Sequence, residues 1–359
     1  MIEIDASQGE GGGQVLRSAL AMSVITGQPV HLTRIRARRR NPGLAPQHLA
    51  GVKAAAQICD AEVEGAALRS QELTFIPGGA ARAGTYEFDI QELAGQGSAG
   101  ATTLLLQTLL LPLALADGDS HLTLRGGTHV AWSPPVHYVR WVLLPMLDRI
   151  GIHAEVELVD WGWYPKGGGE VRVTIRGNSE LRGIQLTDRG AFVNLRGVAV
   201  ATNLPSHIPQ RISARANNLL REAGLPANVE PLRVSGTAEG AGIFVAIAYE
   251  NVVAGFTGLG RLGKPSAEVA EEAIIPLIAY YRRTAALGPY LPDQIVPALM
   301  MAQGPSLFST VEITRHTLTN IAIVQEFIDR SVHVDGTEGQ PGFVRIDGEQ
   351  PRLLPARQV

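Results

Sequence analysis

Cysteine is almost missing from this sequence. One residue, Cys59, among 359 cannot close an intrachain disulfide or build a cysteine zinc site. A disulfide-stapled secreted scaffold is therefore excluded, and a reducing cytoplasm is the expected setting. Charge is scarce too: charged residues make up 18% of the chain, below the usual share of about a quarter, while apolar residues make up 45%. That balance excludes disorder, and the length suits about two domains. The first residues, MIEIDASQGE, carry acids where an export signal needs positive charge followed by an apolar run. Long apolar runs are also absent. The most apolar stretch, Ala101 to Ala116, holds Gln107 and Pro112 and is too short to span a bilayer. It is expected as a buried helix, with no membrane role. No two of the nine histidines have zinc-site spacing on one helix face, so a structural metal is not expected.

Lysine is the next shortage. Of 31 basic residues only Lys53, Lys166 and Lys264 are lysines, which leaves 28 arginines. Five of them, Arg34, Arg36, Arg38, Arg39 and Arg40, fall within seven residues. The net charge of −3 gives no global basic field, so this run points to an anion bound at one place. Guanidinium forks match phosphate oxygens two at a time. The competing reading is a charged strand edge kept soluble.

What the chain does contain is a repeat. Three stretches share one order: a small-residue turn, an apolar helix, a short strand, a second helix begun near proline or a polar cap, then a strand pair. The first covers residues 1 to 80, the second about 95 to 176, and the third resumes near 285 with PYLPDQIVPALMMAQG. The expected class is α/β, in α+β layers, with a large domain of three βαβαββ units. Residues 184–280 interrupt the series with alternating runs such as GIFVAIAYE and an amphipathic helix, RISARANNLLREAG. They are expected to form a smaller α/β domain inserted before the third unit. The expected division is 1–183 and 281–346 for the large domain, 184–280 for the insert and 347–359 for a loose tail. Two chain crossings, near 180 and 282, suggest a double hinge.

Several motifs are near misses. Gly9 to Gln14, GEGGGQ, follows a strand-like segment and opens a helix, but the third glycine of a dinucleotide fingerprint falls on Gln14. What survives is a glycine-rich helix entrance that lets amides approach an anion, with Arg17 nearby. A carboxylate there, Glu10, repels phosphate unless it holds a divalent cation; a helix-capping turn is the alternative. GLGRLGKP, Gly258 to Pro265, resembles a phosphate loop up to Lys264 and then presents proline where a hydroxyl is required, so a P-loop kinase is rejected. WYPKGGGEV, Trp163 to Val171, is a hairpin turn or a second phosphate cradle with Lys166. Gln107 lies in the most apolar helix, where an unpaired amide is costly, and so requires a definite partner. GGTHVAWSPPVHY, Gly126 to Tyr138, has the contents of a rigid loop walling a flat heterocycle. His316, in RHTLTN, stands at a helix entrance with Thr319 and Asn320 as candidate caps; a neutral imidazole so held can attack phosphorus.

Taken together, EGGGQVLRSAL (Glu10 to Leu20), NPGLAPQHL (Asn41 to Leu49), GSAG (Gly97 to Gly100), GGT followed by SPP, YPKGGGEV, YLPDQ (Tyr290 to Gln294) and RHTLTN resemble the RNA 3′-terminal phosphate cyclases. They occur in that family's order along nearly the whole chain. The resemblance implies three βαβαββ units with an insert, and an ATP-dependent reaction at an RNA 3′ end. Histidine takes AMP from ATP, AMP passes to the 3′-phosphate, and the 2′-hydroxyl expels it to leave a 2′,3′-cyclic phosphate. The nucleophile falls on His316. Glu10 is implied as the ligand of Mg²⁺ or Mn²⁺, and Gln14 and Arg17 as phosphate contacts. Pro134, Pro135, Tyr138 and Tyr290 are implied around adenine, with Gln107, Asp293 and Gln294 beside the nucleotide. Arg36, Arg39, Gln47 and His48 are implied at the RNA 3′-phosphate. The sequence departs from the family at Pro292, at His129 after GGT and in the longer QELAGQ segment. Two other classes are compatible with the architecture: a non-catalytic ribosome-assembly relative, which lacks the nucleophilic histidine, and an enolpyruvyl transferase. A monomer and a homodimer are equally compatible with the sequence.

Overall fold

The computed structural model describes residues 1–94 and 99–354. Gly97 and Ser98 of the GSAG motif lie outside the described residues. In chain order the elements open with β1 (Ile2–Asp5), α1 (Gly13–Thr26), β2 (Val30–Thr33), α2 (Pro46–Cys59), β3 (Glu62–Glu64) and β4 (Leu73–Ile76). Next come β5 (Thr85–Asp89), α3 (Ile90–Ala94), α4 (Thr102–Ala114), β6 (Ser120–Gly126), α5 (Val136–Tyr138), a π-turn at Val139–Leu143, α6 (Leu144–Ile150), β7 (Ala154–Asp160) and β8 (Gly169–Ile175). After β9 (Gln185–Leu186) follow β10 (Phe192–Thr202), α7 (His207–Glu222), β11 (Val229–Val234), β12 (Gly240–Tyr249), β13 (Val253–Leu259) and α8 (Ser266–Tyr281). The described chain closes with α9 (Pro292–Met301), β14 (Ser306–Thr310), α10 (Arg315–Gln325), β15 (Ile328–Asp329), β16 (Val332–Asp335), β17 (Gly342–Ile346) and β18 (Arg352–Leu353).

Alternation of buried and exposed residues along the strands, as in Ile2–Asp5 and Gly342–Ile346, gives each sheet one apolar face. Three sheets have the same internal order. In β1-β2-β4-β3 the first two strands are parallel and the rest antiparallel; β5-β6-β8-β7 and β9-β14-β17-β16 repeat that pattern. Their apolar helices meet in the middle of the molecule. The first helix, α1, packs against α2, α4 and α10, and α9 packs against α10 and α6. Helix entrances from all three sheets are thereby brought together. A fourth sheet, β11-β10-β12-β13, carries α7 and α8. No described helix is long and apolar enough to cross a membrane.

Three boundaries differ from the sequence reading. Thr85–Asp89 pairs in parallel with the strand at residue 121 onward, so the second sheet starts about ten residues before the small-residue turn that marks it in the sequence. Gln185 and Leu186 pair with Leu307 and Phe308, across the whole fourth-sheet segment, so the interruption falls after that strand and not before it. A two-residue strand carries too little periodicity to be seen in advance. Arg352 and Leu353, expected in a loose tail, pair with Ile328 and Asp329.

The two chain crossings are tied to each other. Arg189, just after β9, is buried and donates to the carbonyls of Tyr280, Arg283 and Ala285 and to the Tyr249 hydroxyl. Its guanidinium also lies over the Tyr249 and Tyr280 rings, at 4.9 and 4.4 Å from their centres. A buried cation is tolerated when carbonyl dipoles and aromatic faces replace water. Arg330 is held in the same manner by the carbonyls of Met300, Ala302, Gly304 and Asp347. Arginine in this chain thus serves as an internal brace as well as a surface charge.

Candidate active site

The site starts from two helix entrances. At the first, Gly9 adopts φ +57°, and a Cβ there would lie 2.4 Å from Thr319 Oγ1. Only glycine allows that approach. It lets the Glu10 amide donate to Thr319 Oγ1 at 3.0 Å and so docks the loop before α1 onto the first turns of α10. The second entrance is capped by Thr314, whose hydroxyl accepts from the Thr317 amide at 3.1 Å. Thr319 and Asn320, expected as caps, have other tasks because they lie inside the helix. Thr319 donates to the Arg315 carbonyl and receives Glu10.

Asn320 is fully buried and joins three elements. Its Oδ1 accepts from Ser18 at 2.5 Å and Gln14 at 3.1 Å, both on α1, while its Nδ2 donates to the Asp293 carbonyl at 2.5 Å on α9. Ser18 was not anticipated from the sequence. A serine four residues after Gln14 on one helix face is a weak signal that gains meaning only with the partner in place.

Charged side chains converge above this base. One Glu10 oxygen pairs with Arg39; the other, Oε2, is buried with no hydrogen-bond partner. Arg17 donates to Gln14 Oε1 at 2.5 Å, and its Nε is likewise buried without a partner. Burial brings the Arg17 guanidinium down to about 10, with Glu10 and Asp293 pulling it back up, so it is charged at neutral pH. Burial pushes the Asp293 carboxyl up to about 7, against the pull of Arg17. His316 is exposed at the start of α10, and its pKa is lowered below the ordinary histidine value. Desolvation is the main cause; Glu10 opposes it, and Arg17 and Arg39 add to it. Its imidazole is therefore neutral at neutral pH, with a ring nitrogen free for nucleophilic work.

The arginine run separates once it is folded. It follows β2 as a series of turns, with Arg34 and Arg36 both at φ +52°, and is not a strand edge. Arg34 pairs with Asp5, and Arg38 and Arg40 are exposed. Arg36 donates to the carbonyls of Asn41 and Gly43, and Arg39 reaches Glu10. His48, on α2, is buried; its Nδ1 accepts from the Ala45 amide at 3.1 Å, which leaves Nε2 carrying the proton. That Nε2 lies against Gly13, where a Cβ would come within 2.4 Å. Burial, with Arg36 and Arg17, holds the His48 pKa at about 3, so it is a neutral donor at the entrance to α1. Gln47 lines a small cavity together with Arg17 and His48.

A second group extends from α9. Gln107, the partly buried amide of α4, donates to Gln294 Oε1 at 2.7 Å, and Gln294 donates to the Tyr290 carbonyl. Tyr138 is buried next to Gln294 and Asp293, and its pKa is raised well above the usual phenol value by burial first of all. Pro135 opens α5 and accepts from the Tyr138 amide at 2.9 Å; the Pro134 carbonyl accepts from Thr103 at 2.6 Å. Tyr290 is half-exposed. Pro292 occupies the first turn of α9, where a missing amide proton costs nothing. His129 faces elsewhere. It is buried among Trp161, Trp163 and Phe244 and is bonded to Thr128 and His137.

Other motifs fall outside this cluster. The Lys264 side chain is buried, pairs with Glu272 and donates to the Leu259 carbonyl. Lys166 donates to the Thr237 carbonyl from a tight turn, in which Trp163 and Gly167 bridge. Among the described residues no group of three or more His, Cys, Asp or Glu could hold a metal by itself. Glu10 with its free oxygen offers one protein ligand, the number that suits Mg²⁺ or Mn²⁺ shared with substrate phosphates.

Three similarly ordered sheets around shared helices, with two imidazoles, two carboxylates and several arginines at converging helix entrances, define an α/β protein whose candidate site is rich in groups that can bind anions. The family profile described as RNA 3'-terminal phosphate cyclase matches residues 8–334. An RNA 3'-terminal phosphate cyclase of Nostoc sp. is 52% identical over 91% of this chain and 94% of its own length. One of Methylococcus capsulatus is 50% identical over 97% of both chains, and one of Archaeoglobus fulgidus is 42% identical over 94% of this chain and 99% of its own. The chain belongs to the RNA 3'-terminal phosphate cyclase family, a family of ligase-type enzymes.

Proposed function

We propose that this enzyme uses ATP to convert the 3′-terminal phosphate of RNA into a 2′,3′-cyclic phosphate, with AMP held covalently on His316 along the way. The observation that carries the reading is an exposed imidazole at a helix entrance, its pKa lowered by desolvation and tuned by the charges of Glu10, Arg17 and Arg39. A ring nitrogen of His316 attacks the α-phosphorus, the bond to the bridging oxygen breaks and pyrophosphate leaves. An oxygen of the RNA 3′-phosphate then takes the AMP and frees the imidazole. Last, the neighbouring 2′-hydroxyl attacks the activated phosphorus, gives up its proton and expels AMP.

The other residues take roles that match their chemistry. Arg17 and Gln14 hold nucleotide phosphate; the unpartnered Arg17 Nε is a donor without an acceptor, as an anion site requires. Tyr290, Tyr138, Pro134 and Pro135 wall the adenine, with Gln107, Asp293 and Gln294 beside the nucleotide. Arg36, Arg39, Gln47 and the Nε2 proton of His48 receive the RNA 3′-phosphate. Glu10 Oε2, buried without a hydrogen-bond partner, would hold Mg²⁺ or Mn²⁺, which would supply positive charge to neutralise phosphate oxygens. The matching strand orders of three sheets support a large domain of three βαβαββ units, with the smaller domain inserted inside the third after its first strand. A cytoplasmic setting suits the lone buried thiol.

The test is to incubate RNA carrying a labelled 3′-phosphate with the enzyme, ATP and Mg²⁺ and then treat it with phosphatase. Label that resists phosphatase only when ATP is present supports the proposal. Label released in full under every nucleotide and metal condition overturns it.

A further inference from the structure

Trp132 is 99% exposed. It is also held at φ +64°, a conformation that is costly for a bulky residue and that sequences normally give to glycine or asparagine. The loop beneath it is fixed. The Val136 amide closes it onto the Thr128 carbonyl at 3.1 Å, Ser133 donates to the Val130 carbonyl at 2.9 Å, and Thr103 donates to Pro134 at 2.6 Å. Val130 anchors it by packing with Ala101 and Leu104. A strained backbone on a rigid loop thus lifts a whole indole into water, where it gains nothing for the fold.

The loop leads directly into Pro134, Pro135 and Tyr138. On the reading above, on which this inference rests, those residues wall the adenine. An adenine in a pocket needs walls around it, whereas a ring open on its faces suits a base that arrives from solvent and varies in identity. We propose that Trp132 is a stacking platform for the 3′-terminal nucleobase of single-stranded RNA, a contact that is sequence-tolerant because every base has a π-face. It adds affinity for the end without reading it, which matches a chain whose net charge of −3 supplies little general attraction to RNA.

The test is the affinity of a labelled 3′-phosphorylated oligoribonucleotide, with and without the 3′-terminal base, for wild type, Trp132→Ala and Trp132→Phe. Melting temperatures check that each variant is folded. Trp132→Ala is expected to weaken binding roughly 5- to 150-fold, the range that one stacked base supplies, and Trp132→Phe to restore most of it. The oligonucleotide lacking its terminal base should bind all three proteins alike. Labelling by α-labelled ATP alone should be unchanged in Trp132→Ala. Equal affinity of wild type and Trp132→Ala for the intact oligonucleotide overturns the proposal, as does a selective loss of ATP labelling, which would assign the indole to adenine. Failure of wild type to label would count against the adenylation reading instead, because binding is measured without it.

Discussion

Replacing Asn320 by alanine should loosen the joint between α1, α9 and α10. The side chain is 0% exposed and makes three hydrogen bonds: from Ser18, from Gln14 and to the Asp293 carbonyl. At about 1 kcal/mol net for each, the loss is about 3 kcal/mol, with more if the three stranded partners find no water. The assay is urea denaturation of wild type and Asn320→Ala, followed by labelling with α-labelled ATP in native buffer. The midpoint should fall with little change in slope, and labelling should slow, because Gln14 and Asp293 lose the residue that spaces them. Asn320→Asp refines the test. It keeps an acceptor for Ser18 but sets a carboxylate oxygen against the Asp293 carbonyl, so it should destabilise at neutral pH despite its matching shape. A loss below about 0.5 kcal/mol for Asn320→Ala, the size of an ordinary surface change, together with normal labelling would refute the reasoning.

Three more outcomes follow from the same geometry. The His316 pKa lies below the ordinary value, so labelling should be independent of pH above neutrality and fall as acid protonates the ring; Arg39→Ala, by removing a cation, should move that fall to higher pH in a labelling-rate profile. Asp293, raised to about 7, binds its proton more tightly in the folded than in the unfolded state, so stability from this group is present at low pH and declines as pH rises from about 4 to 7. Asp293→Asn should remove that decline in denaturation curves taken across the range. Gly9→Ala puts a methyl 2.4 Å from Thr319 Oγ1 at a positive φ, and should cost about 1 kcal/mol or more on thermal melting as well as slowing labelling.

The α/β class was legible because long apolar helices and alternating strands leave a periodic record. Gln185 and Leu186 left none: two residues cannot display a period, and their partner strand lies more than a hundred residues away. Of the site, the chemistry-bearing residues stood out by type and setting, since Glu10 among glycines and Gln107 in an apolar helix each demanded a partner. The connecting residues did not. Asn320 looks like a cap beside Thr319 and becomes a bridge only when α1 and α9 are packed against α10. The arginine run was visible as a cluster, yet backbone turns at Arg34 and Arg36 decide which guanidinium reaches Glu10 and which faces solvent. Arg189 and Arg330 gave no signal, because a cation braced by carbonyls has no sequence partner to find.

The central claim is covalent chemistry at His316. Wild type and His316→Asn should be incubated with α-labelled ATP and Mg²⁺, denatured, digested and mapped by mass spectrometry, with an acid-treated portion in parallel. The account predicts AMP on the peptide containing His316 in wild type, lost on acid treatment as a phosphoramidate is, and no AMP on the variant. Label that survives acid, that maps to another residue, or that persists in His316→Asn would contradict it.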